Sequence, residues 1–146
     1  MMLAVMQKEH IPQIAALERA CFSDPWSERS FASELENPLS LWLVALSGET
    51  VTGYIGSQQM LDEADIMNVA VHPDCRRQGI ADALLEELER RLAENGVRIL
   101  ALEVRASNAP AIALYEKRGY TQAGLRKNYY FHPREDALIL KKQLHP

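Results

Sequence analysis

The chain has 146 residues, 47% of them hydrophobic and 25% charged, and a net charge of −4. That length suits one domain, 1–146, with a proper core, and that balance excludes a disordered chain. No apolar run approaches the roughly 20 residues needed to cross a bilayer, and the acidic balance speaks against a broad nucleic-acid surface. The opening stretch MMLAVMQKEH lacks the apolar core of a signal peptide. Cys21 and Cys75 have neither metal-binding nor redox spacing, so no metal site is expected and a reduced, cytoplasmic setting is the default.

Leu3–Met6 reads as a short first strand. A helix over about Glu9–Cys21 follows, with Ile11, Ile14, Leu17 and Cys21 on one face and Pro12 in its first turn. Phe22-Ser23-Asp24-Pro25-Trp26 is a turn, and Ser27 caps a second helix that runs to about Glu36 before Asn37-Pro38 stops it. Leu41–Leu46, Val51–Leu61 and Asp65–Val71 are three strands with short connections, an antiparallel meander. After the turn Arg76–Ala81 an amphipathic helix runs through Leu84, Leu85, Leu88 and Leu92 to Glu94, and Asn95-Gly96 ends it. Arg98–Val104 is the next strand; placed after a helix, it completes a β–α–β crossover. Asn108 and Pro110 open a last helix, Ala111–Arg118, and Tyr120–Tyr130 and Ala137–Leu144 are the final strands. The fold class is α+β: a mixed, mostly antiparallel twisted sheet of about seven strands with about four helices on its faces.

The most informative segment is Ile66–Gly96, where a buried strand feeds the basic turn Arg76-Arg77-Gln78-Gly79-Ile80-Ala81 and then a helix. A helix N-terminus carries partial positive charge and unpaired N–H donors, so it favours an anion. Gly79, without a Cβ, allows close approach to the backbone. The second informative segment runs from Leu102 to Tyr120. Glu103 lies near the C-terminal end of its strand, where ligands of α/β sheets gather. Asn108 and Tyr115 are seven residues apart, close to two turns, and share a helix face. Each residue also has a plain structural reading. Asn108 can be an N-cap, Tyr115 a buried aromatic, Glu103 a surface partner of Arg105, and Trp26 a core anchor.

These motifs carry a resemblance. Arg76-x-x-Gly79-x-Ala81 after a buried strand resembles the acyl-CoA pyrophosphate turn of the GNAT acetyltransferases. Asn108-x-x-Ala111-x-x-Leu114-Tyr115-x-x-x-Gly119-Tyr120 resembles their second motif. Pro25-Trp26-Ser27, Leu102–Asn108, Arg126-x-Asn128-Tyr129-Tyr130 and Glu135-Asp136-Ala137 are similar to the RimI-like branch, the ribosomal-protein N-terminal alanine acetyltransferases. Two departures are minor: Ala81 stands where many members have Gly, and Pro110 falls in a first helical turn, where it is tolerated.

The resemblance implies acetyl-CoA as cosubstrate and a protein or peptide N-terminus, that of a ribosomal protein, as acceptor, with no part for nucleic acid or membrane. It implies that Arg76 and Arg77, with the N–H groups of Arg77, Gln78, Gly79, Ile80, Ala81 and Asp82, hold the pyrophosphate. Val69, Ala70 and Val71 would pair with the pantetheine arm like an added strand. The Val71 N–H would polarise the thioester carbonyl, and Asn108 would hold the pantetheine or acetyl end. Glu103 is the implied base and Tyr115 the implied acid. An α-amine has a pKa of about 7.7–8.0, against about 10.4 for lysine, so a carboxylate suffices to deprotonate it. Trp26 with Tyr129 and Tyr130 would line the acceptor groove. Strand alternation puts the two tyrosines on opposite faces, so only one is expected to line it directly. A lysine or small-amine acceptor, or a non-catalytic acyl-CoA-binding module, are the alternatives, and the pairing of Glu103 with Tyr115 argues against the last.

Overall fold

Alternation along the strands sorts the side chains into two cores. On β2 (Ser40–Ser47), Trp42, Val44 and Leu46 turn to one side and Leu43 and Ala45 to the other, all buried. The computed structural model describes Met1–His145; the expected domain ends one residue later, at Pro146, outside the described residues. β1 (Met2–Val5), β2, β3 (Thr50–Met60), β4 (Glu63–Val71), β5 (Ile99–Arg105), β6 (Thr121–Tyr130) and β7 (Glu135–Gln143) form one sheet in the order β1-β2-β3-β4-β5-β7-β6. Every neighbouring pair is antiparallel except β4 with β5. The expected mixed sheet is therefore present, and the expected elements all occur with ends moved by one or two residues.

Helices α1 (Ile11–Cys21) and α2 (Glu28–Glu36) close one face, over Met6, Phe31, Trp42 and Tyr54. Helices α3 (Ile80–Glu94) and α4 (Ala109–Lys117) close the other, over Leu43, Ile55 and Leu100. Leu84, Leu85, Leu88 and Leu92 form the buried stripe of α3, the i, i+4 pattern that a sheet-packed helix needs. The start of α1 differs from expectation: Lys8–His10 is a 3-10 turn, and the α-helix begins at Ile11 with Pro12 in its first turn. Ser27 caps α2, its Oγ accepting the Ser30 N–H at 3.2 Å. Among the described residues no helix is long and apolar enough to cross a membrane.

Two irregularities shape the middle of the sheet. The β3–β4 register passes from Gly56 opposite Asn68 to Ser57 opposite Ile66, which leaves Met67 as a bulge. An extra residue reverses the faces. Ala64 and Ile66 therefore point into the α3 core, while Ala70 points into the α1 core and Asn68 reaches Glu18 of α1. Second, β4 and β5 pair only from Glu63 opposite Ile99 to Asp65 opposite Ala101. Beyond that point β4 stays with β3 and β5 with β7. The two parallel strands separate, and a gap opens between Ile66–Val71 and Leu102–Arg105.

Candidate active site

The open edge of β4 follows from ladder arithmetic. The His72 N–H donates to the Thr52 carbonyl at 2.8 Å. Bonded pairs alternate in an antiparallel ladder, so the next one joins Ala70 to Tyr54, which stand opposite each other. Val69 and Val71 therefore turn their N–H and C=O groups into the gap. Cys21 marks the same direction, its thiol lying 3.8 Å from the Val71 carbonyl oxygen. Of the expected run Val69, Ala70 and Val71, the outer two turn their polar groups toward the gap and Ala70 does not; the Val71 carbonyl accepts from the Cys21 thiol.

The anion turn follows at the end of β4. Arg77 and Gly79 both take left-handed backbone, with φ +63° and +78°, and Gly79 is the N-cap of α3. Ala83 is bonded back to Gly79 O at 3.0 Å, so the N–H groups of Ile80, Ala81 and Asp82 before it have no partner within the helix. The buried Ile80 side chain pins the turn to the sheet. Arg76 and Arg77 are exposed, and among the described residues neither has an acidic partner. Asp82 would oppose an anion here, but Arg118 of α4 holds its carboxylate at 3.1 Å. Arg118 also reaches the buried Glu89 at 3.0 Å and so fastens α4 to α3.

A cavity of about 610 Å³ occupies the gap. Val69, Glu103, Asn108, Tyr115, Trp26, Tyr129 and Tyr130 line it. Ala70, Val71 and the turn Arg76–Asp82 lie outside its lining. The expected residues thus fall into two groups, a cavity and an anion turn, joined through Val69–Val71 and through Cys21, whose sulfur is 3.7 Å from an Arg76 nitrogen.

Tyr115 is buried. Burial pushes its phenol above the ordinary range, with a smaller contribution from Tyr130, so the hydroxyl keeps its proton. That hydroxyl has no hydrogen-bond partner among the described residues, yet no fully buried polar atom is left unpaired; it therefore opens onto the cavity. Glu103 does not pair with Arg105 as alternation on β5 suggested. Its Oε1 accepts from Arg126 Nε at 3.1 Å, while Arg105 pairs with Glu135 at 3.3 Å and lies 4.4 Å from the Tyr130 ring centre. Asn108 caps α4, its Oδ1 accepting the Ala111 N–H at 3.3 Å, and the residue also borders the cavity. Trp26 likewise packs on Phe31 and Trp42, at 5.4 and 5.5 Å between ring centres, and also lines the cavity.

Tyr129 and Tyr130 depart from expectation, because both line the cavity. Asn128 has φ +53°, and the β6–β7 register slips between Arg126 and Tyr130. The Asn128 N–H is taken by Asp136 Oδ1 at 2.8 Å instead of a strand carbonyl. Alternation fails there, and the rings meet edge to face at 5.1 Å. Burial, followed by Glu103, pushes the Tyr130 phenol up to about 12. Glu103, chiefly by hydrogen bonding, raises that of Tyr129.

Sequence reading missed Glu18 and Asn68, which also line the cavity. For Glu18 the signal was present: it stands four residues after Ile14 and three before Cys21, on the apolar stripe of α1. Asn68 carried no signal, since only the Met67 bulge turns it to this side.

A sheet opened between two parallel strands, with a helix start of outward N–H groups on one side and a carboxylate, an amide and a phenol around the gap, is the architecture of an acyl-CoA-dependent acyltransferase. The chain belongs to the acetyltransferase (GNAT) family, whose profile matches residues 11–120. It is 41% identical over 140 residues, 94% of each chain, to the [ribosomal protein bS18]-alanine N-acetyltransferase of Escherichia coli K12. It is 40% identical over 141 residues, again 94% of each, to the enzyme of the same name from Salmonella typhimurium LT2. The crystal structure of the ribosomal-protein-S18-alanine N-acetyltransferase from Escherichia coli superposes with a TM-score of 0.91 over 99% of this chain and 94% of that one, at 39% identity.

Proposed function

We propose that this acetyltransferase acetylates the N-terminal amine of a protein, the N-terminal alanine of ribosomal protein bS18, with acetyl-CoA as donor. One observation carries the reading: Glu103, Tyr115 and Asn108 border the same cavity as Trp26, Tyr129 and Tyr130. The near full-length similarity to bS18-alanine acetyltransferases supports the choice of acceptor. A ribosomal-protein acceptor places the reaction in the cytoplasm.

The residues fit the donor. The outward N–H groups at the start of α3, with Arg76 and Arg77 beside them, suit a diphosphate. The backbone groups that Val69 and Val71 turn into the gap suit an amide-bearing arm laid along β4. Acetyl-CoA supplies an acetyl group already activated as a thioester. The Val71 N–H is the donor placed to polarise a carbonyl, an interaction worth a few kcal/mol where water is excluded. Asn108 orients the acyl end with the amide N–H groups that capping leaves free. Glu103 takes the proton of the incoming ammonium, directly or through one water, and Tyr115 holds the proton that the departing thiolate needs. Among the described residues no histidine ring is hydrogen-bonded to the thiol of Cys21 or Cys75, so neither is set up as a nucleophile and the amine attacks the thioester directly.

The test is acetyl transfer to short peptides of varied first residue, beside a control peptide with a blocked N-terminus and an internal lysine. Transfer to the free alanine N-terminus, with little to the control, is expected. Transfer confined to the blocked lysine peptide would overturn the reading.

A further inference from the structure

Glu18 is a carboxylate on the buried stripe of α1, only 1% exposed. Its Oε1 accepts from the Tyr54 hydroxyl and from Asn68 Nδ2, the latter at 2.6 Å. Its Oε2 accepts the Trp26 backbone N–H at 3.0 Å. No cation pairs with it among the described residues. Three donors face its two oxygens, an arrangement that a carboxylate meets with acceptors alone, whereas an amide in its place would turn its NH2 toward a group that now donates.

Stability does not explain such a group. A buried charge costs several kcal/mol in lost hydration, and apolar residues of similar volume often serve the fold as well or better. What separates Glu18 from its neighbours is where its donors stand. Trp26 belongs to the α1–α2 loop and to the aromatic wall of the cavity. Asn68 follows the Met67 bulge and precedes Val69, whose backbone opens into the gap. Tyr54 lies between them on β3, its hydroxyl kept protonated by burial and by Glu18. One carboxylate thus ties the wall facing the acceptor to the strand facing the donor.

We propose that Glu18 is a positioning residue for acetyl transfer, which sets the acceptor wall at Trp26 and the donor strand at Asn68 in register across the cavity. The proposal rests on the function given above. Both carboxylate oxygens of Glu18 are occupied by these donors. Its effect is on alignment, where a displacement of about 1 Å costs on the order of 100-fold in rate.

Glu18→Gln tests this with volume preserved, because its NH2 must face a group that already donates. With an alanine-initiated peptide, kcat should fall roughly 10- to 100-fold and the peptide KM should rise. The Kd for acetyl-CoA, measured by calorimetry, should stay near the wild-type value. Exchange of the Trp26 amide hydrogen should accelerate by about an order of magnitude once its acceptor is weakened. Asn68→Ala cuts only the donor-side tie, so kcat should fall while Trp26 exchange stays slow; it also serves if Glu18→Gln does not fold. A lower Tm with wild-type kcat and KM in both variants would make Glu18 a structural residue and overturn the proposal. Wild-type enzyme inert toward the peptide would instead overturn the proposed function, while the exchange measurement would still report the tie between Glu18 and Trp26.

Discussion

Glu103 and Arg126 meet at 3.1 Å although their strands are not neighbours, for β7 lies between β5 and β6. The pair spans the sheet beside the cavity, and both side chains reach solvent, at 30% and 55% exposure. Exposed pairs of this kind contribute at most about 1 kcal/mol, so the fold does not depend on this one. Glu103→Gln should leave Tm nearly unchanged. As loss of a general base, it should lower turnover by about 100-fold, most severely at low pH, where the acceptor amine is mainly protonated. A pH–rate profile beside a thermal melt checks both halves. An equal loss at every pH would remove the base.

Tyr115 separates chemistry from packing in the same way. Its ring packs edge to face on Tyr120 at 5.6 Å, while its hydroxyl has no hydrogen-bond partner among the described residues. Tyr115→Phe keeps the ring and removes only the proton. Turnover should fall by about 100-fold or more, with stability within about 0.5 kcal/mol of wild type and acetyl-CoA binding retained. Single-turnover kinetics and calorimetry distinguish these, and unchanged turnover would end the assignment of Tyr115 as acid.

Gly56 should be intolerant of any side chain. It stands opposite Trp42 across β2–β3, and a Cβ on it would fall inside the indole ring. Trp42 is held in turn by Phe31, Tyr54 and Trp26 and by its Nε1–H to Glu34 at 3.3 Å, so it cannot step aside cheaply. Gly56→Ala should cost about 1–3 kcal/mol, the range for overpacking a core, read as a drop in urea midpoint with little change in slope.

Stability should fall in alkali. Burial, as the largest cause, raises the phenols of Tyr54, Tyr115 and Tyr120 above their ordinary value and carries Tyr130 to about 12. In the unfolded chain these groups ionise near 10, so above that pH the native state binds more protons than the unfolded state and ΔG of unfolding declines as pH rises. Their contribution is intact below about pH 10, and the share from Tyr130 is lost as pH climbs through about 12. Urea titrations at pH 8, 10 and 11 would show a level value followed by a decline; a constant midpoint through pH 11 would contradict the burial of these phenols. (These pH values bracket the ordinary tyrosine pKa of about 10.)

Local sequence determined the elements and the anion turn. The leucine stripe of α3, the caps Ser27 and Asn108 and the breakers Asn37-Pro38 and Asn95-Gly96 act within a few residues of themselves. Hydrophobic period and turn chemistry are local signals, so these features were legible, as was the placing of Asn108 and Tyr115 on one helix face. Tertiary structure alone decided the rest. The Met67 bulge turns Asn68 toward Glu18 and leaves Val69 and Val71 open; left-handed Asn128 brings both tyrosines to one cavity; Glu103 finds Arg126 instead of Arg105. Each of these depends on a partner far away in the chain, and strand register is set by pairing, where one extra residue reverses every side chain after it. The basic turn at Arg76–Ala81 was readable as a place for an anion. That it stands beside a split between β4 and β5, with a carboxylate, a phenol and an aromatic wall around the split, follows only from how the sheet is assembled.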